Sequence, residues 1–328
     1  MSRKVKLLLA IILSCFGLYF AFIGENYDTF IDNVSNVNLV DISIAILLLI
    51  LSCFPRALRW KLLISPLESI SFHHVFAATM IGYFGNGVMF FRLGEILKAF
   101  ALSKGNNITI SQAFGTVVAE RILDLLMVIF IFALTFSYFP MEDEKFKIGI
   151  AFSISFVFLL VILILVAHKL NLLEKLSNFD IFSSKLGQKI ISIMTKLFEG
   201  IVAVLKNNNI SLIILSSVSI WVIYFYIGVI VLRACDIPLG YGEAGVLLVI
   251  SSFILGIPSL PGAAGTLDAG VKYALVLIFN IPTAKALTYS IISHAVSYFP
   301  LLIVGFVYFL ISSIKFKEIK DSKGGDEF

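Results

Sequence analysis

Gly256-Ile257-Pro258-Ser259-Leu260-Pro261-Gly262-Ala263-Ala264-Gly265-Thr266 puts two prolines and three glycines into the middle of an apolar run, 242–280. Proline lacks the backbone donor and clashes with the preceding turn, so no straight span survives this stretch. The pattern predicts a re-entrant hairpin. A second interruption, Gly82-Tyr83-Phe84-Gly85-Asn86-Gly87, puts three glycines within six residues inside 75–103. Glycine is about 1 kcal/mol worse than alanine in a helix interior, so a break is expected here too, with a second half-helix leading out from Arg92. Two interrupted hydrophobic segments entering from opposite faces are the sequence sign of a transporter built on inverted halves. Two kinked hairpins that cross fully would keep the same parity.

The rest of the chain sets these segments in a membrane. Of 328 residues, 59% are hydrophobic and 14% charged, with a mean hydropathy of +1.01. Soluble domains have roughly 45–50% apolar and about 25% charged residues, so soluble and disordered classes are excluded. Further apolar runs lie near 5–23, 40–54, 113–139, 148–167, 210–232 and 286–314. A spanning helix needs about 20 residues, which predicts an all-α polytopic bundle of about six full spans and two re-entrant hairpins. One transmembrane domain covers 1–328. Its embedded core is 5–315, its cytoplasmic loop 168–209, and its cytoplasmic tail 316–328. The N-terminal apolar run continues past any small-residue cleavage site, so an uncleaved first span is expected.

Basic residues orient the chain. Arg3, Lys4 and Lys6 place the N-terminus inside. The loop 24–38 carries Glu25, Asp28 and Asp32 and belongs outside. Arg56, Arg59 and Lys61 follow the second span, the segment 168–209 has six lysines, and Lys315, Lys317, Lys320 and Lys323 end the chain. All of these belong inside, giving a multi-pass protein of the cytoplasmic membrane with both termini cytoplasmic. Within 185–207, charged residues recur at helical spacing. This fits an amphipathic helix, either lying on the leaflet or packed on the bundle.

Charges inside a bilayer face a cavity or a partner. Here they form two clusters. Arg92, Glu95 and Lys98 fall roughly on one helix face. Glu120, Arg121 and Asp124 begin a helix that is apolar from there to Ser137. Both are expected at shallow cytoplasmic depth, with Glu95 beside Arg121. Such clusters either lock helices together or leave a positive potential for a phosphate headgroup, which the planar arginine fork suits. Arg121 is expected to be the costlier arginine to remove, because Arg59 is placed near water. In the second break, Pro261, Gly262 and Gly265 expose backbone, and Asp268 with Ser259 and Thr266 could line a polar cavity. A kink closed by an Asp268–Lys272 pair fits equally. His294 reads as a hydrogen-bonded packing residue. Cys15, Cys53 and Cys235 show neither disulfide nor zinc spacing. No metal, cofactor or catalytic motif is expected, and basic residues occur only as inside-loop charges, which excludes nucleic-acid binding.

Arg56-Ala57-Leu58-Arg59-Trp60, then Asn86, Phe91-Arg92-Leu93-Gly94-Glu95-Ile96-Leu97-Lys98-Ala99, Glu120-Arg121-Ile122-Leu123-Asp124 and Leu260-Pro261-Gly262-Ala263-Ala264-Gly265 occur in this order and at fitting intervals. Together they resemble the lysylphosphatidylglycerol synthase transmembrane-region family, whose best-known arrangement is the flippase half of the multiple peptide resistance factor. The resemblance covers roughly 5–315. It implies a flippase-like transporter that moves a lipid or lipid-linked headgroup, anionic or phosphate-containing. The headgroup would sit among Arg92, Glu95, Glu120, Arg121, Asp124 and Asn86, with Pro261, Gly262, Gly265 and Asp268 in the opposing break. Only 14 residues follow Ile314, so lysyl transfer by this chain is not expected. A membrane-embedded enzyme or accessory subunit acting on a lipid-linked substrate, or a scaffold for a separate lipid-modifying enzyme, are the alternatives.

Overall fold

The computed structural model describes residues 19, 21–24, 26–89, 93–139, 155, 158–159, 161–170, 175, 185–256 and 261–312. Among these, all regular structure is helical. The helices include α1 (Tyr27–Ser35), α2 (Leu39–Ile64), α3 (Phe72–Val88), α4 (Gly94–Ser103), α5 (Ile110–Thr135), α6 (Lys185–Val202), α7 (Ile210–Ala234), α8 (Tyr241–Gly256), α9 (Thr266–Phe279) and α10 (Thr283–Ile311), joined in places by short 3-10 turns. Four segments are long and apolar enough to cross a membrane: α2, α7, α10 and Pro261–Phe279. Large apolar side chains such as Leu47, Leu215 and Ile303 are exposed around the bundle. Lipid rather than water is the solvent that tolerates such an exterior.

Local sequence explains the helix starts. The Asn38 side chain accepts from Val40 N and Asp41 N at the head of α2. Thr109 and Gln112 form a reciprocal capping box on α5. Asn26 caps α1 as Asn38 caps α2, its side chain accepting from Asp28 N and Thr29 N. That helix falls in 24–38, which the charge pattern treats only as an outside loop. The cap, with Asp28 in the first turn, is the signal for it.

α3 and α4 form an antiparallel hairpin. His74 Nε2 meets the Ala101 carbonyl at 3.1 Å near its open end, while Gly85 faces Gly94 and Leu97 further in. Ten residues rise about 15 Å, half of a roughly 30 Å hydrocarbon core, so α4 cannot cross. The position of the break differs from expectation. α3 runs through Gly82, Gly85 and Gly87 to Val88, and the interruption falls between Val88 and Gly94. Two of the glycines instead let the helices touch: a Cβ on Gly82 would lie 2.8 Å from Lys98 Cβ, and one on Gly85 2.6 Å from Gly94 Cα. Close helix contact outweighs the modest propensity cost of glycine. The outward half-helix starts at Gly94; Arg92 lies outside the described residues.

The second interruption is where the prolines place it. Gly262 (φ 71), Ala263 (φ 63) and Gly265 (φ 81) take left-handed backbone between α8 and α9. The two hairpins lie along opposite halves of α10. His73 and Phe76 of α3 pack on Tyr308, with ring centroids 6.1 and 5.6 Å apart, whereas Asp268 of α9 bonds His294. Their tips meet at Tyr298, 15 residues into the 29-residue α10. Its hydroxyl donates to the Gly87 carbonyl at 3.0 Å, and its ring sits where a Gly262 Cβ would be, 2.5 Å from Cε2.

The amphipathic helix is α6, and it packs on the bundle. Gly200 and Gly115 allow α6 and α5 to approach at backbone distance, and Gln112 of α5 donates to Glu199 at 3.0 Å. Lys189 remains exposed.

Candidate functional site

Three helices bring seven ionised side chains into one connected network. α2 supplies Arg56 and Arg59, α4 supplies Glu95 and Lys98, and α5 supplies Glu120, Arg121 and Asp124. α7 adds two hydroxyls. Arg59 is wholly buried. It donates to Asp124 at 2.8 Å and to Ser217 Oγ at 3.2 Å, and lies 3.7 Å from Glu120. Glu120, also 0% exposed, takes the Lys98 ammonium as its close partner. That ammonium stands 3.8 Å from the Trp60 ring centroid, and the indole N–H donates to Thr116 at 2.9 Å. Arg56 reaches Tyr224 OH at 3.2 Å and Asp124 at 3.6 Å. Arg121 closes the set, 3.0 Å from Glu95 and 3.2 Å from Asp124.

Burial and pairing explain each other here. An isolated ion in a low-dielectric interior costs several kcal/mol, and only mutual compensation with extra hydrogen bonds makes the charged state tenable. Compensation is incomplete. Arg59 Nε and Asn86 Oδ1 are buried with no hydrogen-bond partner among the described residues.

The expected contact between Glu95 and Arg121 is present. Two other expectations are corrected. Arg59 is not near water. It is the most enclosed arginine of the network, whereas the Arg121 side chain keeps 40% of its surface. The side chain one turn from the end of a helix is not automatically wet when α5 and α7 pack over it. The network also reaches deeper than expected. Asp124 is 14 residues into a 26-residue helix, about 21 Å along its axis. Sequence reading left Arg56 and Arg59 out of the site, although Arg-x-x-Arg within an apolar run was the available signal.

Around the second break, Asp268 is the organising residue. One carboxylate oxygen accepts from Gly265 N at 2.8 Å and the other meets His294 Nδ1 at 2.8 Å. His294 Nε2 meets the Gly262 carbonyl at 2.8 Å, and Ser290 Oγ donates to the Asp268 carbonyl at 2.6 Å. Lys272 is turned to the Ala21 carbonyl at 2.7 Å. Pro261, Gly262, Gly265 and Asp268 are thus together at one hairpin tip. Asn86 is at the other, near the Tyr298 contact. Cys53 and Cys235 are buried free thiols, and no group of three metal-ligating side chains forms among the described residues.

Apolar exterior, opposed hairpins and an internal ionic network define a polytopic helical membrane protein with a polar site built between helices. Residues 7–305 match the family described as the lysylphosphatidylglycerol synthase TM region, and the chain belongs to that family. It is similar to the UPF0104 membrane protein MJ1595 of Methanocaldococcus jannaschii, 27% identical over 349 residues, covering 98% of this chain and 99% of the relative. It is also similar to MJ1078 of the same organism, 26% identical over 248 residues, covering 73% of this chain and 99% of the relative. No solved structure matches.

Proposed function

We propose that the protein moves a lipid, or a lipid-linked headgroup, across the cytoplasmic membrane, and that the ionic network receives the headgroup phosphate. One observation carries the reading. Among the described residues, four cations (Arg56, Arg59, Lys98, Arg121) stand in the network against three carboxylates (Glu95, Glu120, Asp124), which leaves 4 − 3 = +1. A purely structural network gains nothing from a cation left without a counter-charge. An anionic ligand would complete it. Arg121 and Glu95 form the accessible edge, with side-chain exposures of 40% and 21%. A phosphate entering there would take Arg121 as a two-pronged donor, with Asn86 beside the entrance and Glu120 and Asp124 holding the cations in place. The break formed by Pro261, Gly262, Gly265 and Asp268 is the opposing gate. Separation of the two hairpin tips at Tyr298 would open the path between leaflets. The end of the bundle carrying Lys61, Lys104 and Lys196 faces the cytoplasm in this reading.

The test is reconstitution into vesicles containing a headgroup-labelled anionic phospholipid, with leaflet-selective quenching. Protein-containing vesicles should equilibrate the label faster than empty ones. Arg121→Ala should slow that exchange about tenfold, the loss of one charge-assisted contact, at nearly normal thermal stability. Equal rates in empty and loaded vesicles for anionic and zwitterionic lipids alike would reject lipid movement.

A further inference from the structure

We propose that the His294–Asp268 pair is a proton-binding site whose proton latches the Pro261–Gly265 break to α10. Both imidazole nitrogens face oxygens: Nδ1 the Asp268 carboxylate and Nε2 the Gly262 carbonyl, each at 2.8 Å. A peptide carbonyl only accepts, so Nε2 must carry a proton. The other carboxylate oxygen already accepts from Gly265 N. A second proton must then lie between Nδ1 and Asp268, and Nδ1, the more basic of the two groups, holds it. The closed geometry therefore fixes the pair at two protons. Remove one, and the remaining proton can satisfy only one of the two contacts. With it on Nδ1, a nitrogen lone pair faces the Gly262 carbonyl at hydrogen-bond distance, and the attraction becomes repulsion.

What this proton holds is specific. Gly262 (φ 71) and Ala263 (φ 63) are in backbone that needs outside support. His294 ties that backbone to α10 one turn from Tyr298, where the hairpin tips meet; the two rings are 5.8 Å apart. Among the described residues few other groups compete. On α9, Lys272 donates to the Ala21 carbonyl. α3 presents the Gly87 carbonyl, which takes the Tyr298 hydroxyl. Of the remaining helices against α10, Asp41 of α2 pairs with Arg233 of α7, Arg56 and Arg59 belong to the ionic network, and Asp28 and Asp32 of α1 are on the exposed surface. The His294 side chain keeps 14% of its surface, so protons can reach it. The sign follows: the break is held when the pair is protonated and released as pH rises.

The chain has four histidines. Replacing His73, His74 and His168 by Gln leaves His294 as the single imidazole, observable by 15N spectroscopy in lipid nanodiscs between about pH 6 and about pH 9. Two protonated ring nitrogens at the acid end, and loss of one proton within the range, are expected. A ring nitrogen bare at the acid end, or both protons retained to the alkaline end, overturns the proposal. The mechanical half is read separately. In a chain with Cys15, Cys53 and Cys235 replaced by Ala, labelling of Ala264→Cys is compared with that of Ser35→Cys on exposed α1, which cancels the thiol's own ionisation. The ratio should rise about tenfold per pH unit until the break is fully open, the slope of a one-proton linkage, and should be flat in His294→Gln. A rise that persists in His294→Gln, or a flat ratio where His294 loses its proton, overturns the latch. Neither readout involves lipid movement, so the outcome is independent of the transport reading.

Discussion

Arg59→Ala should unfold the protein more readily than any other single arginine replacement in the network. Arg59 has no exposed surface and contacts Asp124 at 2.8 Å, Ser217 at 3.2 Å and Glu120 at 3.7 Å. Breaking a buried pair by removing one partner costs about 3–5 kcal/mol. The lower end applies here, because Glu120 keeps Lys98, and Asp124 keeps Arg56 at 3.6 Å and Arg121 at 3.2 Å. Arg121→Ala removes a side chain that is 40% exposed, and screening should hold its cost to about 1 kcal/mol. Arg59→Lys keeps the charge but cannot donate to Asp124 and Ser217 through one rigid fork, and should fall between. Thermal unfolding in detergent, with the monodisperse fraction after purification, orders the three. If Arg59→Ala fails to accumulate, Arg59→Ala with Asp124→Asn should recover part of the loss, since the stranded carboxylate is then neutral. Arg59→Ala within about 0.5 kcal/mol of the unsubstituted protein, the range of ordinary surface changes, would refute the buried network.

Three other substitutions probe other joints. Gly94→Ala would put a Cβ 2.6 Å from Asn86 Oδ1 and closer still to α3 backbone; overpacking of about 1–3 kcal/mol should follow, while Gly228→Ala, with open space around it, should be neutral in the same melting assay. Tyr298→Phe removes the donor to Gly87 O at 3.0 Å, should cost about 0.5–1.5 kcal/mol, and should raise thiol labelling at Ala264→Cys if the hairpin tips are joined there. Arg92→Lys keeps the charge and removes the two-pronged donor: if Arg92 holds a phosphate, lipid movement should fall at normal stability, and normal movement would leave Arg92 as a counter-charge alone.

The class of fold was legible because hydropathy and proline act locally. The break at Pro261–Gly265 needs no tertiary information: proline cannot continue the helix and Gly262 supplies the left-handed turn. The first break was misplaced because glycine is ambiguous. The same three residues can end a helix or let another helix touch it, and the choice is made by α4, which no local window contains. The site was half legible for a similar reason. Glu95, Glu120, Arg121 and Asp124 announce themselves as charges in apolar helices. Which arginine is enclosed depends on how α5 and α7 close over α2, and burial of that kind is a property of the packed helices. His294 was visible only as a lone histidine; its meaning comes from two oxygens contributed by residues 26 and 32 positions away.

The two hairpins and the network are mechanically connected through α3 and α10. Gly82 and Gly85 of α3 bear on α4, whose Lys98 anchors Glu120 of the network. Five residues beyond Gly82, Gly87 accepts from Tyr298, against which Gly262 of the other hairpin rests. A shift of the Pro261–Gly265 break must therefore either pull on α3 or break the Tyr298 contact. The first moves Lys98 relative to Glu120, which close packing and a buried ion pair make a discrete step rather than a gradual one. The second frees the tips while leaving the network intact. The positioning of Tyr298 at the midpoint of α10 makes both movements available from one side chain, and double substitution separates them: Tyr298→Phe and Gly94→Ala should be non-additive in stability if the strain is shared along α3, and additive within about 0.5 kcal/mol if the tips move alone.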